Sequence, residues 1–223
     1  MEDKEKIFLI DAYALIYRGY YAFIKNPRIN SKGTDTSAIF GFMNSLLDLI
    51  KREKPKNLSV CFDKGGSKFR NEIFKEYKAN RHETPEAIKI AVPYIKKILE
   101  SMNISIIEKE GYEADDIIGT IAREAEKKNF KTYMVTPDKD FAQLVSDNIF
   151  IYKPARMGNG IEIWGIPEVK KKFEVDEPKQ VIDYLAMMGD SSDNIPGLPG
   201  VGDKTAKKFI REYGSIENLI NNV

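Results

Sequence analysis

Nine carboxylates sit where they could hold cations. Asp11 follows the apolar run KIFLI, Asp63 closes NLSVCFD, and Asp138 and Asp140 follow KTYMVT in the tetrapeptide Pro137-Asp138-Lys139-Asp140. Glu113-Ala114-Asp115-Asp116 opens a helical pattern, with Glu113 and Asp116 three apart and so on one face. Gly189-Asp190-Ser191-Ser192-Asp193-Asn194 carries a second acidic pair at the same spacing. A lone Asp after a strand is ordinarily a helix cap, and acids in a first helical turn suit the helix dipole. Asp138 could equally sit in an Asx turn. Capping does not account for acids at three strand ends and a helix start together. Two carboxylates about 4 Å apart repel by ~4 kcal/mol at an effective dielectric of 20, so such a cluster calls for cations. An all-oxygen donor set selects Mg²⁺ or Mn²⁺ over Zn²⁺. Two such ions suit phosphodiester cleavage, because they polarise the attacking water and hold the leaving oxygen.

The elements that must position these acids are readable from periodicity. Lys6–Asp11, Asn57–Asp63 and Lys131–Thr136 are short, β-branched-rich runs expected as buried strands, with Asn103–Ile107 as a fourth. Between them, Thr36–Arg52, Thr84–Met102 and Glu113–Lys128 repeat apolar residues every three and four positions and are expected as helices. Strands alternating with helices predict an α/β fold with a central, mostly parallel sheet. Ligands of such sheets bind outside the carboxyl ends of the strands, where Asp11, Asp63 and Asp138 fall. Asn148–Trp164 reads as a hairpin turning at Gly158 and Gly160. Pro167–Phe173, Pro178–Met188, Asp203–Tyr213 and Ser215 onward read as short helices. The last pattern, SIENLINNV, lacks a stop signal, so the chain is expected to continue in a longer one.

Composition narrows the classes. The chain has 223 residues, 42% hydrophobic and 31% charged, with 35 Lys+Arg against 34 Asp+Glu. That composition supports a globular core, and a net charge of +1 offers no global basic field. One cysteine, Cys61, and one histidine, His82, exclude an internal disulfide, a Cys-based zinc site and a His-rich cage. Cys61 is expected as inert core and His82 as a surface residue. No signal peptide or transmembrane run is evident, so a cytoplasmic protein is expected.

Two segments are locally basic. Lys64–Arg81 interleaves Lys64, Lys68, Arg70, Lys75, Lys78 and Arg81 with Phe69, Phe74 and Tyr77, a pattern suited to stacking bases and tracking a backbone. Phe69 and Phe74 are expected in the core and Tyr77 at the surface as the stacking residue. Leu198–Ala206 fits a helix–hairpin–helix pattern. In it Gly200 and Gly202 permit close approach to a phosphate, and Lys204, Thr205 and Lys208 follow in a helix start.

The segments FLIDAYALIYRGYYA, SVCFDKGGSKFRNEIFKEYKANR, GYEADDIIGTIA, VTPDKDFAQLV and YLAMMGDSSDNIPGLPGVGDKTA occur in order. With them the chain resembles the 5′-nuclease domains of bacterial DNA polymerases I, within the flap-endonuclease family. The resemblance implies a resolvase-like or PIN-like α/β core over residues 1–175, with a helical arch at about 64–100. A helix–hairpin–helix region over 176–223, ending earlier than is usual in the family, would follow. It implies structure-specific 5′-3′ exonuclease and 5′-flap endonuclease action on DNA in replication and repair, by a monomer. It also implies an RNA primer in an RNA–DNA hybrid as a further substrate. Asp11, Asp63, Glu113, Asp115 and Asp116 would gather round the metal at the scissile phosphate, directly or through water. Asp138, Asp140, Asp190 and Asp193 would build a looser second site. Asp11, Asp116, Tyr77, Lys78 and Arg81 are the implied catalytic residues. Arg70, Tyr77, Lys78 and Arg81 would contact the displaced strand. Gly200, Gly202, Lys204, Thr205 and Lys208 would hold duplex, with K⁺ at the hairpin. A single-strand ribonuclease sharing the acidic pocket, a catalytically silent DNA-binding module and a phosphatase are the competing readings. The ribonuclease needs no hairpin at Gly200, no carboxylate is lost as a silent module would require, and Asp11-Ala12-Tyr13 lacks the second Asp of the phosphatase type.

Overall fold

In the first strand, β1 (Lys6–Asp11), alternate side chains enter two different cores: Phe8 and Ile10 face one, Leu9 the other. That is the period-2 signature of a strand covered on both faces. The computed structural model describes residues 4–154 and 160–222. After β1 come α1 (Ala12–Ala22), α2 (Ser37–Glu53), β2 (Asn57–Lys64), α3 (Lys68–Ile73), α4 (Glu86–Ser101), β3 (Ser105–Glu110), α5 (Ala114–Lys127) and β4 (Lys131–Val135). They are followed by β5 (Ile149–Lys153), β6 (Glu162–Trp164), α6 (Ile166–Phe173), α7 (Val181–Met188), α8 (Asp203–Tyr213) and α9 (Ile216–Asn221).

The six strands form one sheet in the order β3-β2-β1-β4-β5-β6. All neighbours are parallel except β5 and β6, so the mostly parallel α/β sheet expected from the sequence is present. One face is covered by α1, α2 and α4 through Leu15, Phe42, Leu46, Ile95 and Leu99, all essentially buried. The other is covered by α5 and the C-terminal helices through Ile118, Val169, Val181, Ala206 and Ile210. Between α1 and α2 the backbones nearly touch at Gly19 and Gly41, where an added Cβ on Gly41 would lie 2.3 Å from the Gly19 Cα. Strand order reverses between β1 and β4, and this switch point opens a crevice at the carboxyl ends of those two strands.

Several boundaries differ from the sequence reading. β3 starts at Ser105 rather than Asn103 because Asn103 adopts a left-handed φ of 55° and stops α4, with Ile104 N–H donating to the Leu99 carbonyl. The hairpin is present as β5 and β6, and β5 also pairs with β4. Its expected turn residue Gly158 lies outside the described residues. The expected helix Pro178–Met188 divides into a 3₁₀ turn at Pro178–Gln180 and α7. Among the described residues, no helix is long and apolar enough to cross a membrane.

Candidate metal centre and its basic clasp

Asp11 ends β1 and also caps α1: Ala14 N–H donates to its Oδ1 at 3.1 Å. Its Oδ2 accepts the Thr136 hydroxyl from the end of β4 at 3.0 Å, across the switch point. The capping reading of this residue therefore holds, and its second oxygen faces the switch point. Burial, with repulsion from Asp63 and Asp138, pushes the Asp11 carboxyl up to about 6. Asp63, near the end of β2, accepts the Ala114 N–H at the start of α5. Its carboxyl is also raised, by burial and then by Glu113. Asp138 accepts the Asp140 N–H at 2.9 Å and so holds the turn after β4.

Asp115 projects from the first turn of α5 into the crevice, where water reaches it. Protein surrounds it and Asp11, Asp138, Asp63 and Glu113 repel it, and together these raise its carboxyl to about 8. Asp140 is raised to about 6 by burial and by Asp138, Asp190 and Asp193, and its buried Oδ1 has no hydrogen-bond partner. Asp190 runs the other way. Although burial opposes it, the Ser192 hydroxyl and N–H, donating at 2.6 and 2.8 Å, hold its carboxyl below the usual range.

α3 and the segment between it and α4 reach into the same cleft with their basic side chains. Lys78 Nζ donates to Glu113 Oε1 at 2.6 Å and stands 3.7 Å from Asp193. Arg81 pairs with Asp193. Arg70 forms a two-pronged bond to Asp116 at 2.9 and 2.7 Å, donates to Ser67 Oγ at 3.0 Å, and lies 3.6 Å from Glu113. Burial opposes a low value for Asp116, but the Arg70 bonds prevail and keep it below the usual carboxylate range. Beside this clasp lies a cleft of about 680 Å³ that reaches Asp115, Asp140, Asp190 and Asp193.

All nine carboxylates thus border one region, but not as a finished cage. Among the described residues, no three His, Cys, Asp or Glu side chains form a ready metal-binding group. The donors still suit hard divalent cations. They are all oxygens, three are pushed well above their ordinary value by burial and then by mutual repulsion, and Asp140 offers an unpartnered buried oxygen.

Three expectations need correcting. Tyr77 is buried rather than offered at the surface: its hydroxyl donates toward Glu113 Oε2 (2.9 Å) and Asp193 Oδ2 (3.1 Å). Phe69, expected in the core, is 62% exposed, and Phe74 is half-buried. Arg70 is turned inward onto Asp116. Cys61 is fully buried, its thiol pushed by burial up to about 12, and His82 is exposed. Sequence reasoning missed Thr136 and Ser67. A hydroxyl ending an apolar strand and a serine ahead of a helix were the available signals.

Further along the chain, before α8, Gly200 takes φ +76° and Gly202 caps the helix. An added Cβ at either would meet nothing within 4 Å, so the turn is open to a ligand. Lys204 and Lys208 are exposed, Thr205 is half-buried, and Ala206 is buried beneath the turn. Lys207 is tied to Asp203 at 3.1 Å.

Residues 6–174 match the 5′-3′ exonuclease, N-terminal resolvase-like domain, and residues 176–223 match the 5′-3′ exonuclease, C-terminal SAM fold. DNA polymerase I of Bacillus subtilis is 40% identical over 224 residues, covering 100% of this chain and 25% of that one. A 5′-3′ exonuclease of Aquifex aeolicus is 41% identical over 216 residues, covering 97% of this chain and 72% of that one. The chain therefore spans a quarter of the length of that polymerase. In fold it is similar to the zinc-bound 5′-exonuclease of T5 (TM-score 0.77, 24% identity, 98% of this chain and 79% of that one). It is similar too to the bacteriophage T5 flap endonuclease in a pseudo-enzyme–product complex with DNA and metal ions (TM-score 0.75, 24% identity, 98% and 79%). The two matched domains and the 40–41% identity of these relatives establish that the chain belongs to the 5′-3′ exonuclease family.

Proposed function

We propose that the chain is a divalent-metal-dependent nuclease that hydrolyses phosphodiester bonds at 5′ flaps and recessed 5′ ends of DNA. In a longer chain like the polymerase relatives it would remove primers and flaps ahead of synthesis, RNA–DNA hybrids included. The observation that carries this reading is Asp115, open to the crevice yet held among four neighbouring carboxylates with no lysine or arginine partner, so that burial and their repulsion raise its carboxyl to about 8. Two Mg²⁺ or Mn²⁺ ions, when bound, would polarise the attacking water and hold the leaving oxygen. Asp11, Asp63, Glu113, Asp115 and Asp116 would hold one, and Asp138, Asp140, Asp190 and Asp193 the other, directly or through water.

The remaining work falls to the chain's own side chains. The turn at Gly200–Gly202 and the start of α8 seat the duplex backbone, with Lys204, Thr205 and Lys208 on its phosphates, and K⁺, when bound at the turn, would add positive charge there. Lys78 and Arg81, resting on Glu113 and Asp193, transfer to the scissile phosphate and stabilise its developing charge. The Tyr77 hydroxyl keeps Glu113 and Asp193 oriented while those cations leave. Arg70 holds Asp116 charged. The products are a 5′-phosphate and a 3′-hydroxyl, and the working unit is a monomer.

The test is cleavage of end-labelled 5′-flap DNA and of single-stranded RNA, with and without Mg²⁺. Cuts at the flap junction that require Mg²⁺ and vanish in Asp115→Ala, with flap binding retained, are expected. Cleavage of the RNA alone, or undiminished cutting in EDTA, would overturn the assignment.

A further inference from the structure

Two tight turns face each other across the cleft. The first, between α3 and α4, contains Lys78 at φ 59°, and the second, after α7, contains Asn194 at φ 58°. The second is closed on itself by paired bonds, Asp190 N–H to the Ile195 carbonyl and Ile195 N–H to the Asp190 carbonyl, both 2.8 Å. Each turn sends an asparagine side chain to the other's backbone. Asn80 Nδ2 donates to the Ser191 carbonyl at 2.7 Å, and Asn194 Nδ2 donates to the Glu76 carbonyl at 2.8 Å. Lys78 N–H completes the joint by donating to the Asp193 carbonyl at 2.9 Å.

These bonds end on main-chain oxygens, so they fix the path of each turn rather than one rotamer. Asparagine suits the role: its short amide is stiff, and it tolerates the left-handed conformation that Asn194 adopts. Neither amide touches any of the nine carboxylates. Yet one turn bears the cations Lys78 and Arg81, and the other bears Asp190 and Asp193.

We infer that Asn80 and Asn194 are positioning residues that fasten these two turns together, so that the cationic and acidic halves of the site order and loosen as one unit. The inference rests on the proposed nuclease only for its kinetic consequence. The mechanical claim concerns the free protein.

Amide hydrogen exchange in EDTA, without DNA, is therefore the first readout. Asn80→Ala is expected to speed exchange of the Asp190 and Ile195 amides in the opposite turn about five-fold, the worth of one ordinary hydrogen bond. Asn194→Gly, which keeps the left-handed backbone, is expected to do the same to the Lys78 amide. Because both act on one unit, the double variant adds little to either. Amides of β1 serve as the global reference, and Asn80→Asp, which keeps the shape but loses the donor, replaces Asn80→Ala if that reference moves. On flap DNA with Mg²⁺, each variant should lower kcat about five-fold and leave KM within two-fold. Loosening confined to the mutated turn, fully multiplicative effects in the double variant, or a change in KM alone would each overturn the proposal. Failure of the wild-type protein to cut flaps would sink the nuclease reading and leave the exchange result standing.

Discussion

Replacing Lys78 by Met tests whether the basic clasp and divalent cations compete for the same carboxylate. Glu113 is 5% exposed, and Lys78 is its nearest cation at 2.6 Å. At that distance the bare attraction is about 6 kcal/mol for an effective dielectric of 20, most of it offset by dehydration of the two ions. Removing one partner of a buried pair typically costs about 3–5 kcal/mol. Here the cost is smaller, because Glu113 keeps the Tyr77 hydroxyl at 2.9 Å and Arg70 at 3.6 Å. We expect Lys78→Met to lower unfolding stability in EDTA by about 2 kcal/mol, by analogy with those measured costs, and Glu113→Gln on that background to restore most of it. If a bound metal takes over Glu113, the metal-loaded forms of wild type and variant are equally stable. The variant must then gain about 2 kcal/mol more from Mg²⁺, a roughly 30-fold tighter binding. Urea unfolding in EDTA and in Mg²⁺, with calorimetric titration of the ion, measures both. Equal metal-induced stabilisation in the two proteins would refute the competition, whatever happens to activity.

Three further outcomes are expected. Asp11 titrates near 3.8 when unfolded and at about 6 in the fold, so the native metal-free protein holds the extra proton. Its stability should therefore fall as pH rises from about 4 to about 6 and stay low above that. Asp11→Asn should remove this fall and stabilise the metal-free protein at pH 8 by up to about 3 kcal/mol while abolishing cleavage; an unchanged pH–stability curve would count against the buried carboxyl. Gly41→Ala places a methyl 2.3 Å from the Gly19 Cα, forcing α1 from α2. It should cost about 1–3 kcal/mol, read as a lower midpoint in urea. Lys204→Ala with Lys208→Ala should weaken flap-DNA binding in Ca²⁺ and reduce its log–log salt slope by about 2; an unchanged slope would remove the hairpin from the interface.

What could be read from the sequence is what is encoded locally. The strands ending in Asp11 and Asp63 announce themselves by apolar alternation, and the helix after Glu113 by its 3.6-residue period. The convergence of their acids follows from sheet topology alone. What could not be read is partner choice across long separations. Arg70 and Asp116 are 46 residues apart, and Asn80 and Ser191 are 111 apart. Nothing in the local spacing selects those pairs. Tyr77 reads as a surface residue because Glu76 and Lys78 flank it, but adjacent side chains point in different directions and do not fix where the one between them goes. It sits in a turn whose Lys78 is left-handed, with Glu76 exposed, Lys78 reaching inward to Glu113, and the ring beneath Arg70 and Lys78. Phe69 fails in the opposite sense: α3 has six residues, none buried, so its aromatic has no core to join.

The distribution of compensation within the acidic cluster carries the last argument. Glu113, Asp116 and Asp193 each take a lysine or arginine from the clasp. Asp11, Asp115 and Asp140 take none, and theirs are the carboxyls driven to about 6, 8 and 6. A fold selected only for stability would pair these three or replace them by neutral residues, since uncompensated repulsion of this kind opposes folding. Leaving them unpaired lines the gap between the basic residues with carboxyls that a cation would help to ionise, Asp115 standing on the side open to water. A divalent ion entering there relieves the repulsion without first breaking an ion pair. On the proposed assignment, an ion reaching for Glu113 would have to displace Lys78 and would thereby free a cation for an incoming phosphate. The partners already in place then predict an order: Asp115, which has no ion-pair partner, would take an ion before Lys78 is released.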